Sequence, residues 1–263
     1  MTPRSLALQT ELGLWSTRGN IVQRPGYIVV RTPSDYGYFF GNLLLLAQAP
    51  TAADVPLWQA RFAEEFAGLP VRHVTLWWDQ GTLTTDAEQA LVQHGFTIER
   101  VSVMSQPTRV MTARTVDGIT LQELTAAQAE QLADLGLQIN QRHDEAFTLF
   151  HQRRARWQKQ LITRGLARFW GAFADGKLVA SLGMFYHNGL ARFQDVQTAA
   201  TFRRRGIASA LLCAAMDAST AARAQTAIIH AEPGDAARLY ESLGFAHVAT
   251  AETACRYPLP VTV

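Results

Sequence analysis

With 263 residues, 48% of them hydrophobic, the chain can bury one large core or two smaller ones. Charged residues make up 17%, which excludes wholesale disorder, and a net charge of +2 is too weak to point to nucleic acid as a partner. Only Cys213 and Cys255 are present, without CxxC or metal-ligand spacing, so a reducing compartment is expected and no metal. The opening stretch MTPRSLALQTELG lacks the apolar core of a secretion signal. The longest aliphatic run, Leu43 to Ala47, is too short to span a bilayer, so a cytoplasmic protein without a membrane partner is expected.

In chain order, Met1 to Gly26 is weakly patterned. Tyr27 to Arg31 reads as a strand, and Tyr36 to Leu46 as a second one bent at Gly41. Trp58, Phe62 and Phe66 recur at helical spacing, and that helix ends near Gly68 and Pro70. Val71 to Trp78 is strand-like, Asp86 to Gln93 a short helix, and Gly95-Phe96 opens a strand from Thr97 to Met104. Met111 to Gly118 is polar and ends in glycine, as a linker does; it separates expected domains 1–115 and 118–263.

The second half begins with a strand, Ile119 to Leu124. Thr125 and Gln128 form a capping-box pattern at the start of a helix running through about Leu137. A longer helix covers Asp144 to Arg164, with Phe147, Phe150 and Trp157 expected toward the core. Ala167 to Ala174, Lys177 to Tyr186 and Leu190 to Thr198 read as strands joined by hairpin turns at Asp175-Gly176 and Asn188-Gly189. From Ile207 the apolar positions Leu211, Leu212, Ala215 and Met216 fall on one helical face, so Cys213 reads as a small core residue. A strand from Thr226 to Ala231, a helix stopped at Gly244 and a last strand from Phe245 complete the chain.

The turn between strand Leu190–Thr198 and helix Ile207 carries the chemistry. A helix N-terminus offers unpaired N–H groups and the positive end of its dipole, and Gly206 removes a side chain where a bulky group must approach. That combination is an anion cradle, with phosphate the natural anion. Neither GxxxxGK[ST] nor GxGxxG is present, which excludes an ordinary P-loop and a dinucleotide-binding turn.

The turn reads Arg203-Arg204-Arg205-Gly206-Ile207-Ala208 after Val196-Gln197-Thr198, and downstream stand Ala236, Leu239, Tyr240, Gly244 and Phe245. These two motifs, R-x-x-G-x-A and A-x-x-L-Y-x-x-x-G-F in that order, resemble the GNAT superfamily of N-acetyltransferases over roughly 118 to 258. The resemblance implies an α/β (α+β) fold: a mixed, mostly antiparallel central sheet with helices on both faces. It implies that acetyl-CoA is the co-substrate, its pyrophosphate held by Arg203 to Ser209, largely through main-chain N–H groups. Val196, Gln197 and Thr198 would pair with the pantetheine arm and polarise the thioester carbonyl. Tyr240 would protonate the departing sulfur, since a phenol of pKa about 10 keeps its proton at pH 7. Asp86-Ala87 with Gly95-Phe96 recurs as Asp235-Ala236 with Gly244-Phe245, both pairs 149 residues apart, which makes 1–115 a degenerate half of the same kind. Its phosphate turn would be Ala47 to Thr51 and its tyrosine position Leu91, neither suited to the chemistry.

The general base is unassigned. Positions where family members carry a glutamate hold Arg192 and Ile228, and Pro233 stands where many carry a cofactor-contacting asparagine. Glu232 and His230 are the nearest substitutes, water is another, and strand alternation turns Asp195 away from Val196. The implied function is acetyl transfer from acetyl-CoA to a primary amine of a small molecule or peptide; the alternative is a non-catalytic acyl-CoA-binding sensor or assembly module. Pocket depth, which the sequence does not show, decides between acetyl and longer acyl groups. The acceptor region 125–166 mixes His143, Asp144, Glu145 and several arginines, so no acceptor is singled out. Edge strands in both halves could pair within the chain or in a homodimer.

Overall fold

A computed structural model describes residues 1–142 and 144–257, so His143 lies outside the described residues. In chain order the elements are α1 (Leu6–Trp15), β1 (Asn20–Arg24), β2 (Tyr27–Arg31), β3 (Leu43–Gln48), α2 (Val55–Glu65), β4 (Val74–Gln80), α3 (Thr85–Gln93) and β5 (Thr97–Pro107). There follow β6 (Thr120–Glu123), α4 (Glu130–Asn140), α5 (Glu145–Thr163), β7 (Ala167–Ala174), β8 (Lys177–His187), β9 (Leu190–Thr198), α6 (Ile207–Ala221), β10 (Thr226–Ala231), α7 (Asp235–Ser242) and β11 (Ala246–Arg256). Among the described residues no helix is long and apolar enough to cross a membrane.

The chain forms two compact units that do not meet at a single cut. One comprises Met1–Ser102 with the described residues from Ala249 to Tyr257, the other Val103–Val248. The sequence places the boundary at 115–118, and the difference has two local causes. Thr253 to Arg256 pair antiparallel with Val74 to Trp77 and so belong to the first unit. Met104, Met111 and Val116 join the hydrophobic core of the second.

In the first unit, β1–β2 and β2–β3 are antiparallel, β3–β4 parallel and β4–β11 antiparallel. Strands β2, β3 and β4 are buried on both faces, which is why Leu43 to Leu46 read as an unbroken apolar run. Ile28, Val30, Leu43, Leu45 and Trp77 pack with Leu8 and Trp15 of α1 on one face. Val29, Leu44, Leu46, Leu76 and Trp78 pack with Phe62, Phe66 and Leu91 on the other. The expected strand over 36–46 starts only at Leu43, after a short 3-10 turn at Phe39–Gly41. Asn42 is the reason: its side chain accepts the Thr32 N–H and donates to the carbonyls of Asp35 and Tyr38, each at 2.9 Å, replacing ladder bonds with local ones. Helix α1 escapes a periodicity reading because it is buried nearly all round. Its N-terminal N–H groups at Arg4 and Ser5 are satisfied by Asp79, far along the chain.

In the second unit, β6–β7, β7–β8 and β8–β9 are antiparallel and β9–β10 parallel. Both predicted hairpin turns form with two left-handed residues each, Asp175-Gly176 and Asn188-Gly189, the conformation that suits tight hairpins. Helix α6 packs Ile207, Leu211, Leu212, Ala215 and Met216 against Trp170, Ala172, Leu182 and Phe193. The alternate residues Phe169 and Phe185 are fully buried outside that cluster. They face the other side of the sheet, where α4 approaches β8 and α5 approaches β7. The capping box forms as Thr125 with Gln128, but it opens a 3-10 turn, and the regular helix begins at Glu130.

The sequence repeat has a structural counterpart. Gly95 N–H bonds the Val92 carbonyl and Phe96 N–H that of Leu91; Gly244 N–H bonds Glu241 and Phe245 N–H bonds Tyr240, at 2.9 and 3.0 Å in both units. These bonds close α3 and α7 in the same left-handed turn, φ +82° at Gly95 and +96° at Gly244. A Cβ at 244 would also stand 2.7 Å from the Arg109 guanidinium. Gly244→Ala is therefore expected to destabilise the second unit by about 1–3 kcal/mol, read as a lowered urea midpoint with unchanged slope.

Candidate active site

The site is built where β9 and β10 part. Their parallel ladder runs from Leu190 opposite Thr226 to Arg192 opposite Ile228 and goes no further. On its other edge β9 remains bound to β8, but with a shift: Gly183 faces Gln194 while Ser181 faces Gln197. Asp195 and Val196 thus oppose Leu182 alone, a β-bulge, and Asp195 takes φ +55°. The bulge bends β9 away from β10 and leaves its peptide groups from Gln194 to Thr198 without that neighbour. Gln197 is steadied by its side chain donating to Ser181 Oγ at 3.0 Å.

Beyond Thr198 the chain turns into α6. Arg203 Nε donates to the Thr198 carbonyl at 3.1 Å, Arg204 has φ +63° and pairs with Asp235 at 3.3 Å, and Arg205 donates to the Asp117 carbonyl at 2.9 Å. All three guanidinium groups stay at the surface. The first intrahelical bond is Ala210 N–H to the Gly206 carbonyl, 3.0 Å, so the N–H groups of Ile207, Ala208 and Ser209 have no partner in the helix. Gly206 has φ +81°, and a Cβ there would meet nothing within 4 Å. The glycine is required by backbone conformation; crowding from the protein is not the reason.

Tyr240 lies on α7, buried beside Phe245 at a centroid distance of 6.2 Å. Burial pushes its phenol up to about 12, so it is a donor at neutral pH, and its hydroxyl takes no partner among the described residues.

On the other side of the bulge lies a cavity of about 300 Å³. Leu132 and Asn140 of α4, five residues of α5 and Asp195 to Gln197 of β9 line it. Asp195 thus faces the cavity, against the expectation from strand alternation: the extra residue of the bulge reverses the parity. Its two oxygens receive Arg154 and the amide of Gln158, the latter at 2.8 Å. Phe147 and Phe150 are also displaced from the expected core role; they are half-buried and wall the cavity, whereas Trp157 is buried. Phe147, His151, Arg154 and Gln158 follow a 4-3-4 spacing on α5, which puts them on one helical face, a signal legible in sequence once a cavity is suspected.

The sequence candidates for a base fare differently. Arg192 and Ile228, the two positions without glutamate, are cross-strand partners at the last rung of the ladder. His230 is half-buried, with Arg192 Nη2 3.5 Å from its Nδ1; desolvation first and that cation second hold it well below its usual range. Glu232 and Pro233 are exposed in the following loop. Among the described residues no cluster of His, Cys, Asp and Glu is arranged to hold a metal.

A family model described as an acetyltransferase (GNAT) domain matches residues 123–256, half of the chain, and includes both motifs. The chain belongs to the GNAT acetyltransferase family. This acyltransferase is similar in fold, at 16% identity and a TM-score of 0.71, to a GCN5-related N-acetyltransferase from Kribbella flavida, covering 99% of this chain and 98% of that one. It is also similar to a conserved protein of unknown function from Staphylococcus epidermidis (12% identity, TM-score 0.70, 92% and 95% covered). A third similar structure is a tandem GNAT protein from the clavulanic acid biosynthesis pathway (13%, 0.53, 76% and 67%). No curated protein matches significantly.

His151 and His230 both resist protonation in this GNAT chain, chiefly because burial penalises the cation. The unfolded chain binds more protons below pH about 6.5, so stability should fall as pH drops through that value toward 5, by up to about 1.4 kcal/mol per unit per group. Urea unfolding across this range should show the fall, and His230→Gln should make it shallower.

Proposed function

We propose that the chain transfers an acetyl group from acetyl-CoA to a primary amine. The observation that carries this reading is the conjunction in one unit of an interrupted β9–β10 ladder and an α6 N-terminus with three unpaired N–H groups. The gap takes the pantetheine arm against Val196, Gln197 and Thr198, whose main-chain N–H groups polarise the thioester carbonyl. The pyrophosphate sits on the N–H groups of Gly206 to Ser209, with the exposed Arg203, Arg204 and Arg205 supplying positive charge around it. The amine enters from the Asp195 side, attacks the carbonyl carbon, and the C–S bond breaks as Tyr240 gives its proton to sulfur.

The first unit is a degenerate relative of the second and binds no acyl-CoA. It shares the antiparallel–parallel strand order and the closing bonds of α3, but its parallel ladder stays zipped from Leu44 opposite Leu76 to Gln48 opposite Gln80, and Ala49 N–H still reaches Gln80. The turn that follows is closed by Asp54, whose carboxylate accepts from Thr51 N–H and Oγ1. An anion there would meet a carboxylate where the second unit presents arginines.

Calorimetric titration should therefore give one acetyl-CoA per chain. Gly206→Glu should weaken binding at least about tenfold, by putting a like charge and a strained φ in the cradle. Tyr240→Phe should keep the affinity and lower turnover by about 10²-fold or more. Two sites per chain would contradict the degenerate reading, and unaltered turnover would remove Tyr240 from the chemistry.

A further inference from the structure

The acyl-transfer reading leaves the amine's proton without a destination, and the cavity on the acceptor side supplies one. His151 sits on α5 between Phe147 and Phe150, at ring centroid distances of 4.6 and 5.3 Å. Its imidazole lies on Gly136 of α4, where any Cβ would overlap the ring. A glycine in mid-helix costs about 1 kcal/mol relative to alanine, so this close seat is maintained at the helix's expense. Nε2 is buried and takes no hydrogen bond from the described residues. A buried polar atom left without a partner costs about 1–3 kcal/mol, which a ligand's N–H would relieve. The charged groups facing the ring are Arg154 on its own helix and Asp195 on β9; α4 presents Gly136 and Asn140.

We propose that His151 is the general base and that the acceptor is a small primary amine on an apolar body, its ammonium end on Asp195 and its body against Phe147 and Phe150. This deepens the acetyl-transfer reading and rests on it. Asp195 is suited to anchoring: Arg154 and Gln158 each take one lone pair of its two oxygens and leave the others open to the cavity. His151 is suited to accepting: burial and the Arg154 charge, opposed by Asp195, keep it neutral at pH 7. An ammonium of pKa about 10.4 bound on Asp195 passes one proton to the imidazole, and the neutral amine attacks the thioester carbon. The second N–H proton leaves as the C–S bond breaks and replaces the one Tyr240 gives to the thiolate. The imidazolium then releases its proton to solvent, so that one ammonium and one thioester yield one amide, one thiol and one proton.

The test uses the full chain, acetyl-CoA and 2-phenylethylamine, following free thiol. Wild type should turn over, with kcat/KM falling on the acid side as the imidazole protonates. His151→Gln should lower kcat by about 10²–10⁴ at pH 7, abolish that acid limb and leave acetyl-CoA affinity unchanged. Asp195→Asn should raise the KM for the amine more than it lowers kcat. Unchanged turnover of His151→Gln with the wild-type acid limb overturns the assignment of the base. A wild type that binds acetyl-CoA but does not acetylate this amine overturns the acceptor class, while one that binds no acetyl-CoA overturns the underlying reading. Should His151→Gln fail to fold, the His151 imidazole resonances of wild type in the presence of CoA must shift on adding 2-phenylethylamine; no shift overturns the proposal.

Discussion

The last rung of the β9–β10 ladder, Arg192 opposite Ile228, is the constraint on which the rest of the site depends. Two parallel strands normally hydrogen-bond as far as both extend, and breaking that pairing inside a protein strands peptide groups without partners. Here the break is enforced from the other edge. The β8–β9 register admits Asp195 and Val196 against Leu182, and β9 bends away from its parallel neighbour. The left-handed conformation of Asp195 costs roughly 1–2 kcal/mol, and the Arg154 and Gln158 contacts to its carboxylate hold it in place. One bulge therefore opens the gap on one side of the strand and aims a carboxylate into a cavity on the other.

The parallel pair of the first unit has no such break. Its corresponding strands have the same directions and its α3 ends in the same two backbone bonds, yet β3 and β4 stay paired to Gln48 and Gln80. The turn that follows carries a carboxylate: Asp54 accepts from Thr51 N–H and Oγ1 at the short 3-10 turn that leads into α2. The second unit differs from it in the interrupted ladder and the arginine-rich turn before α6, the two features on which the proposed acyl-CoA site rests.

Much of the site's frame was legible in the sequence because local chemistry writes it. Gly206 and the helix periodicity from Ile207 mark the strand-to-helix turn, Asp175-Gly176 and Asn188-Gly189 mark the hairpins, and Gly95-Phe96 and Gly244-Phe245 mark two helix ends closed by the same pair of backbone bonds. What stayed hidden depends on partners distant in sequence. The α1 helix is capped by Asp79, the strand expected from Tyr36 is delayed by Asn42 bonding back to Thr32, Asp35 and Tyr38, and the division into units turns on where Thr253 to Arg256 pair. The orientation of Asp195 is the sharpest case. Alternation is a sound rule for a regular strand, and a single inserted residue, announced by no glycine or proline, inverts it.

The proposed seat of acetyl-CoA, in the β9–β10 gap and on the α6 N-terminus and nowhere in the first unit, is open to amide hydrogen exchange with and without acetyl-CoA. Exchange should slow at residues 196–198 and 205–209, whose N–H groups would acquire partners, with no change at residues 49–55. Unchanged exchange across 196–209, or protection at 49–55, would contradict it.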